Sequence, residues 1–126
     1  MSDAQILMYN FKSSDRVDQI RKYLNHAGIE IRTVQPPQYL EPLGCLFDVP
    51  GFSKSGVFNL GQNFSEEMIV MRNFTEKELH DFLGFFRTAN LDRISLKAVL
   101  TPINSHWNSM QLYQELCKER AAFSRK

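Results

Sequence analysis

Two Asn-Phe pairs, Asn10-Phe11 and Asn73-Phe74, each follow an apolar run, "ILMY" before the first and "MIVM" before the second. A carboxamide donates and accepts hydrogen bonds at once, and a phenyl ring offers a flat apolar face. Side chains of this kind hold a ligand; they do not shuttle protons or attack carbonyl groups. Other residues with chemical reach are less organised. His26 and His80 fall on the polar sides of expected helices and His106 in a loop, so no pair has the i, i+4 spacing of metal ligands. Cys45 and Cys117 are far apart with no Cys-x-x-Cys spacing, which suits reduced, packed thiols. No Gly-x-Ser-x-Gly elbow is present to carry a nucleophilic serine. Lys97, between apolar neighbours, is the best nominee for an enzymatic role, although a lysine shielding a sheet edge is the commoner use. We therefore expect no catalytic set, no metal and no cofactor.

The elements that must position the Asn-Phe pairs look like one unit written twice. Laying Ile6 on Ile69 pairs Met8 with Met71, Asn10 with Asn73 and Phe11 with Phe74. With Lys12 skipped, Ser13 falls on Thr75, Val17 on Leu79, Ile20 on Phe82, Leu24 on Phe86, Ala27 on Ala89 and Gly28 on Asn90. Ser13 and Thr75 serve as N-caps, Thr75 with Glu78 as a capping box. The apolar residues between recur at helical spacing, and Gly28 and Asn90 suit a left-handed C-terminal cap. "EIRTVQPP" then lies on "SLKAVLTP" as a second strand in each half. Any two strand-helix-strand units share part of this patterning, but Asn-Phe at both strand ends is not required by it.

The continuous runs fit central strands buried on both faces, and the charge-bearing "IEIRTV" and "LKAVL" fit edge strands. The expected fold is α/β: a four-stranded parallel sheet of order 2-1-3-4, helices on both faces, built from two similar strand-helix-strand-helix halves. In that arrangement the first and third helices lie on opposite faces, and a pseudo-twofold axis runs along the strand direction. "PPQYLEPLGCLFDVPG" carries a helix cut short by Pro42 and Gly44. The last helix starts at Asn108 with Gln111 in the box position. It has Leu112, Leu116 and Phe123 on one line, and Lys118, Arg120, Arg125 and Lys126 towards its end.

Open parallel sheets bind ligands outside the carboxyl ends of their strands, where strand order reverses. That places a crevice between strands 1 and 3, lined by Asn10, Phe11 and Lys12 on one side and Asn73, Phe74 and Thr75 on the other. Phosphate is disfavoured there, because neither following turn contains glycine and the first turns carry Asp15, Glu76 and Glu78. The strand order is that of receiver-like domains and small phosphocarrier subunits, yet Asn10 stands where a phosphocarrier needs Cys or His and the clustered carboxylates of a receiver are missing. The bland alternative is that the asparagines bond nearby backbone and the rings fill core.

The closing stretch, "LKAVLTPINSHWNSMQLYQEL", has Thr101, Asn104 and Ser105 placed to knit a turn after Pro102, and Trp107 just ahead of a helix. Trp107 is either a packing staple or, with Thr101 and Asn104, part of the same carboxyl rim. Through Leu96, Lys97, Ala98, Val99, Leu100, Thr101, Pro102, Asn104, Trp107, Leu112, Glu115 and Leu116 this stretch resembles the end of a bacterial family of small domains of unknown function. The resemblance extends loosely through "EEMIVMRNFTEKELHDFL" and the first strand and helix, and it implies no activity.

Between the halves runs "PGFSKSGVFNLGQNFSEE", a long loop at 50–67 with Phe52, Phe58 and Phe64 evenly spaced. Loops of that length act as lids, binding loops or disordered segments. We expect a lid over the sheet's carboxyl end, or else a dimer contact.

The 126 residues are expected to form a single domain, 1–126, with 43% hydrophobic and 23% charged residues, an ordinary globular composition. With 15 basic and 14 acidic side chains, a net charge of +1 and no basic stripe, nucleic acid is not an expected partner. No basic-apolar leader or spanning run is visible, so a cytoplasmic protein without membrane contact is expected. The expected function is a small non-enzymatic binding or regulatory module with a crevice that takes a small molecule or peptide. The alternative is a homodimeric interaction module that uses the Phe-bearing loop.

Overall fold

In the computed structural model, which describes residues 2–57, 59 and 61–124, the apolar runs become the two central strands of a four-stranded sheet. Strand β1 spans Gln5–Tyr9, β2 Glu30–Val34, β3 Met68–Arg72 and β4 Leu96–Val99. The helices are α1 (Asp15–His26), α2 (Leu43–Leu46), α3 (Glu76–Thr88) and α4 (Ser109–Ser124). The sheet order is β2-β1-β3-β4, as expected, but the sheet is mixed. β1 pairs parallel with β2 and β3 parallel with β4, whereas β1 and β3 run antiparallel, with Gln5 opposite Arg72, Leu7 opposite Val70 and Tyr9 opposite Met68. The expected all-parallel sheet is thereby corrected.

The reason lies in the connection from β2 to β3. Val34 ends β2 level with Tyr9, and Met68 starts β3 level with the same Tyr9, so this connection returns to the end of the sheet it left. It carries a 3₁₀ turn at Pro36–Gln38 and the four-residue α2. A helix that short spans about 6 Å, against about 17 Å for a five-residue strand, too little to cross the sheet and bring β3 back parallel.

Antiparallel central strands change the symmetry. Helices α1 and α3 lie on the same face, not on opposite ones: Ile20 and Leu24 join Phe82 and Phe86 over Ile6, Met8, Ile69 and Met71. Tyr23 of α1 stacks on Phe85 of α3 with ring centroids 4.5 Å apart. The other face of the sheet buries Leu7, Tyr9, Met68, Val70 and Leu96 against Tyr39, Leu43, Phe47, Met110 and Leu112. The pseudo-twofold axis is therefore perpendicular to the sheet, near Leu7 and Val70, and does not follow the strands. Period-2 alternation divides β1 and β3 between the two layers, which is why both strands read as unbroken apolar runs.

The helix ends follow the residue types. Thr75 and Glu78 form the reciprocal capping box, with both bonds 3.0 Å, and Asn108 with Gln111 forms another at α4, 2.8 and 2.9 Å. The cap of α1 is Ser14 rather than Ser13; its hydroxyl accepts the Val17 N–H at 3.2 Å. Gly28 and Asn90 have φ of +76° and +56°, the left-handed conformation their types tolerate. On α4, Leu112 is buried and Leu116 packs against the same core, while Phe123 stands 79% exposed, off the expected apolar line. Lys118 pairs with Glu115 and Arg120 with Glu66. Phe58, Arg125 and Lys126 lie outside the described residues. Among those described, no helix is long and apolar enough to cross a membrane.

Candidate functional site

Because β1 and β3 are antiparallel, Asn10 and Asn73 stand at opposite ends of the sheet, and no crevice is shared by their two strand ends. Both asparagines are nonetheless in the left-handed conformation, with φ +65° and +60°. This accounts for the repeat of Asn at both positions, since Asn enters that region more readily than most non-glycine residues. Their amides differ. Asn10 Nδ2 donates to the carbonyls of Phe64 (2.9 Å) and Glu66 (3.0 Å), and its Oδ1 accepts from the Tyr39 hydroxyl at 3.3 Å. Among the described residues, Asn73 Nδ2 reaches only the Asp3 carbonyl, at 3.4 Å. Phe11 and Phe74 both pack against the α1/α3 core layer.

Thr101 and Asn104 lie at the same end as Asn73, because β4 is parallel to β3. They tie the turn reciprocally: Thr101 N–H to Asn104 Oδ1 at 2.8 Å, Asn104 N–H to Thr101 Oγ1 at 3.0 Å, and Asn104 Nδ2 to the Val99 carbonyl at 3.0 Å. Trp107 is half-buried in the opposite layer, against the α2/α4 core, where its carbonyl accepts the Leu43 N–H at 2.8 Å. The predicted residues thus divide between the two ends and the two faces of the sheet. Of the loop rings, Phe64 is buried and stacks on Tyr39 and Tyr113, and Phe52 packs against His106.

Where two strands do end together, a pocket exists. The carboxyl ends of the parallel pair β1 and β2 open onto a concavity of about 300 Å³, lined by Asn10, Phe11, Lys12, Gln35, Asn63 and Ser65 among others. Among the described residues, Lys12 is its one cation, and no carboxylate lines it. Sequence reasoning named Asn10, Phe11 and Lys12 but missed Gln35, Asn63 and Ser65. The signal that could have found Gln35 is its place directly after β2, the parallel neighbour of β1.

Behind this pocket lies a layer of rings with polar tips. Tyr9 is fully buried, and its hydroxyl shares a 2.7 Å hydrogen bond with Ser109. Burial pushes the Tyr9 phenol well above its ordinary range, and the bond to Ser109 only partly offsets this. Tyr113, raised to about 12 by its bond to Cys117 and then by burial, donates to Glu66 at 3.1 Å. Arg120 grips the same carboxylate with two bonds of 2.6 and 2.9 Å. These phenols remain protonated near neutrality and supply no general base.

Glu66 also supplies a pH test. Arg120 holds its carboxyl below the ordinary value of 4.5; burial opposes this, and the Tyr113 hydroxyl adds a smaller lowering. A lowered folded-state pKa gives stability that is complete above the unfolded value and is lost as pH falls through the folded one. The melting temperature should therefore fall on acidification below about pH 4.5, and less steeply in Arg120→Ala. Parallel melting curves in the two proteins would remove Glu66 from the account.

The remaining reactive groups are engaged structurally. Glu41 is buried and accepts the N–H and hydroxyl of Ser55, pinning the loop. The Cys45 thiol is pushed up by burial and by Glu41, away from the reactive thiolate. Lys97 Nζ donates to the Ile94 carbonyl at 2.8 Å, and burial, then Arg93, lower its pKa. Among the described residues, no three His, Cys, Asp or Glu side chains gather as a metal site.

The fold defines a class: a mixed α/β sheet made of two strand-helix-strand units docked edge to edge in opposite senses. The second unit with its following helix, residues 67–123, matches the family model described as a domain of unknown function, DUF3783. No curated protein and no solved structure matches the chain.

Proposed function

We propose that the chain is a small non-enzymatic binding module whose ligand sits in the pocket at the carboxyl ends of β1 and β2. The observation that carries this reading is the lining: one exposed ammonium, Lys12, beside the polar groups of Gln35, Asn63 and Ser65 and the ring of Phe11, with no carboxylate. Such a set suits a modest molecule that offers a carboxylate to Lys12 and a short apolar part to the ring. A phosphate, with up to two negative charges against a carboxylate's one, is less suited, because Asp15 and Asp18 in the first turn of the adjacent α1 repel it more strongly. The free, half-buried thiols Cys45 and Cys117 support placing the protein in a reducing cytoplasm. Use of the Phe-bearing loop as a dimer contact has less support, since Phe52 and Phe64 spend their rings on internal partners.

The test is thermal unfolding against a panel of small carboxylates. A ligand at a hundred times its Kd stabilises the folded state by about 2.7 kcal/mol, a rise on the order of 10 °C for a chain of this size. Lys12→Gln should abolish that rise while leaving the unliganded melting temperature unchanged, because Lys12 is exposed. The proposal fails if no carboxylate shifts the transition, or if the shift survives Lys12→Gln.

A further inference from the structure

Of the seven arginines among the described residues, five have a side-chain partner: Arg16 holds Glu67, Arg21 Thr33, Arg32 both Glu30 and Asp48, Arg72 Gln5 and Arg120 Glu66. Arg87 and Arg93 have neither a side-chain hydrogen bond nor an ion pair among those residues, and both line one groove. The groove encloses about 550 Å³ along α3 and the turn that leads to β4, and it shares no residue with the pocket at Lys12. His80 and Asn90 add imidazole and carboxamide groups, and Leu83, 37% exposed, with the half-buried Leu91 adds apolar surface. No carboxylate among the described residues lines it.

We infer that this groove is a docking site for an acidic peptide segment of another protein, which lies along α3 with carboxylates on Arg87 and Arg93 and an apolar side chain against Leu83 and Leu91.

The one-signed lining is not imposed by the surface of a helix. The pairing that lays Val17 on Leu79 puts Asp18, Arg21, Lys22 and Asn25 at the positions of His80, Leu83, Gly84 and Arg87. Those four line the corresponding concavity on α1, where Asp15 and Asp18 stand with Arg21 and Lys22. A face that meets only water needs no more than this balance of signs. On α3 the same positions hold no acid, and a leucine and a glycine replace two cations. Arg87, in the last turn, also suits the negative pole of α3, but Arg93 lies beyond the helix and has no such use.

The kind of occupant follows from how the groups are spread. His80 and Arg87 stand about two turns apart on α3, roughly 10 Å, with Leu83 and Gly84 between them. A compact anion such as phosphate leaves that length and its apolar surface unused. A peptide covers both, because its carboxylates can stand about 10 Å apart with an apolar side chain between them. Each unpaired guanidinium offers a carboxylate two parallel hydrogen bonds, which is the complement such a segment supplies. At Gly84 a Cβ would meet nothing within 4 Å, so the middle of the groove is open to the incoming side chain.

Fluorescence anisotropy of the full chain with a labelled, end-blocked peptide of sequence Glu-Glu-Leu-Glu-Glu-Leu-Glu-Glu tests this. The peptide should bind with a Kd below about 1 mM, and the same peptide with alanine for leucine should bind more weakly. Arg87→Gln combined with Arg93→Gln should raise the Kd at least about tenfold, whereas Lys22→Gln, at the matching face of α1, should leave it unchanged. Gly84→Met, which fills the middle of the groove, should also raise it at least about tenfold, although the melting temperature does not fall, because helix propensity improves. That stability readout separates a blocked groove from a misfolded one. Absence of binding, a Kd indifferent to the arginine pair or to Gly84→Met, an equal loss with Lys22→Gln, or equally tight binding of a single-stranded oligothymidylate of the same charge overturns the inference.

Discussion

Phe64→Ala should cost about 3–5 kcal/mol, more than any other substitution in the 50–67 segment, and lower the melting temperature on the order of 15 °C. The ring is buried and touches three others, with centroids 5.8 Å from Tyr9, 5.0 Å from Tyr39 and 4.3 Å from Tyr113. Its removal opens a void beside Tyr9, whose hydroxyl is already committed to Ser109 and cannot turn to fill it. The backbone is held as well, since the Phe64 carbonyl accepts from Asn10. The truncated loop should therefore become sensitive to proteolysis between Gly51 and Glu67. Phe52→Ala is the control: its half-buried ring lies against Gly44 and His106 at the periphery, and the cost should be about 1–2 kcal/mol. Urea denaturation of both variants decides the matter, and equal midpoints would mean that the loop is not anchored through Phe64.

That anchoring bears on what the sequence could disclose. Three evenly spaced phenylalanines in a loop signalled that aromatic surface had to be covered, and it is for Phe64, by the core, and in part for Phe52, by His106 and Gly44 at the periphery. Caps and stops were legible because they depend on a few adjacent residues, as Thr75 with Glu78 and Asn108 with Gln111 show. Strand order was legible too: runs without charge mark the middle of a sheet and runs with charge its edges. Strand sense was not. An apolar run buried on both faces fits a central strand of either direction, and the 2-residue period is the same for both. The information lay in the connection, where Pro42 and Gly44 cut a helix to four residues, too short to cross the sheet. Once β3 is reversed, the seam between β1 and β3 no longer carries both strand ends; two carboxyl ends meet instead at β1 and β2 and, at the opposite end of the sheet, at β3 and β4. Asn10 and Phe11 stay with the pocket, whereas Asn73, Thr101 and Asn104 go to the far end.

The two asparagines that look like twins in the sequence should behave very differently when replaced. At both positions φ is near +60°, so alanine incurs about 1 kcal/mol of backbone strain and glycine none. Strain is nearly the whole cost at position 73, where the exposed amide reaches a single carbonyl at 3.4 Å. Asn73→Gly should therefore lie within about 0.5 kcal/mol of wild type, and Asn73→Ala about 1 kcal/mol below it. At position 10 the amide serves two carbonyls and a phenol, and all three lose their partner together. Each partly buried group left unsatisfied costs about 1 kcal/mol or more. Asn10→Gly should then lose about 2–3 kcal/mol, Asn10→Ala about 3–4, and Asn10→Asp at least as much as glycine, because a carboxylate offers two carbonyls no donor. Chemical denaturation of the variants at both positions measures the difference directly. If Asn10→Gly proved as harmless as Asn73→Gly, the amide would not be holding the loop, and the wall of the pocket formed by Asn63 and Ser65 would lose the contact that fixes it beside β1.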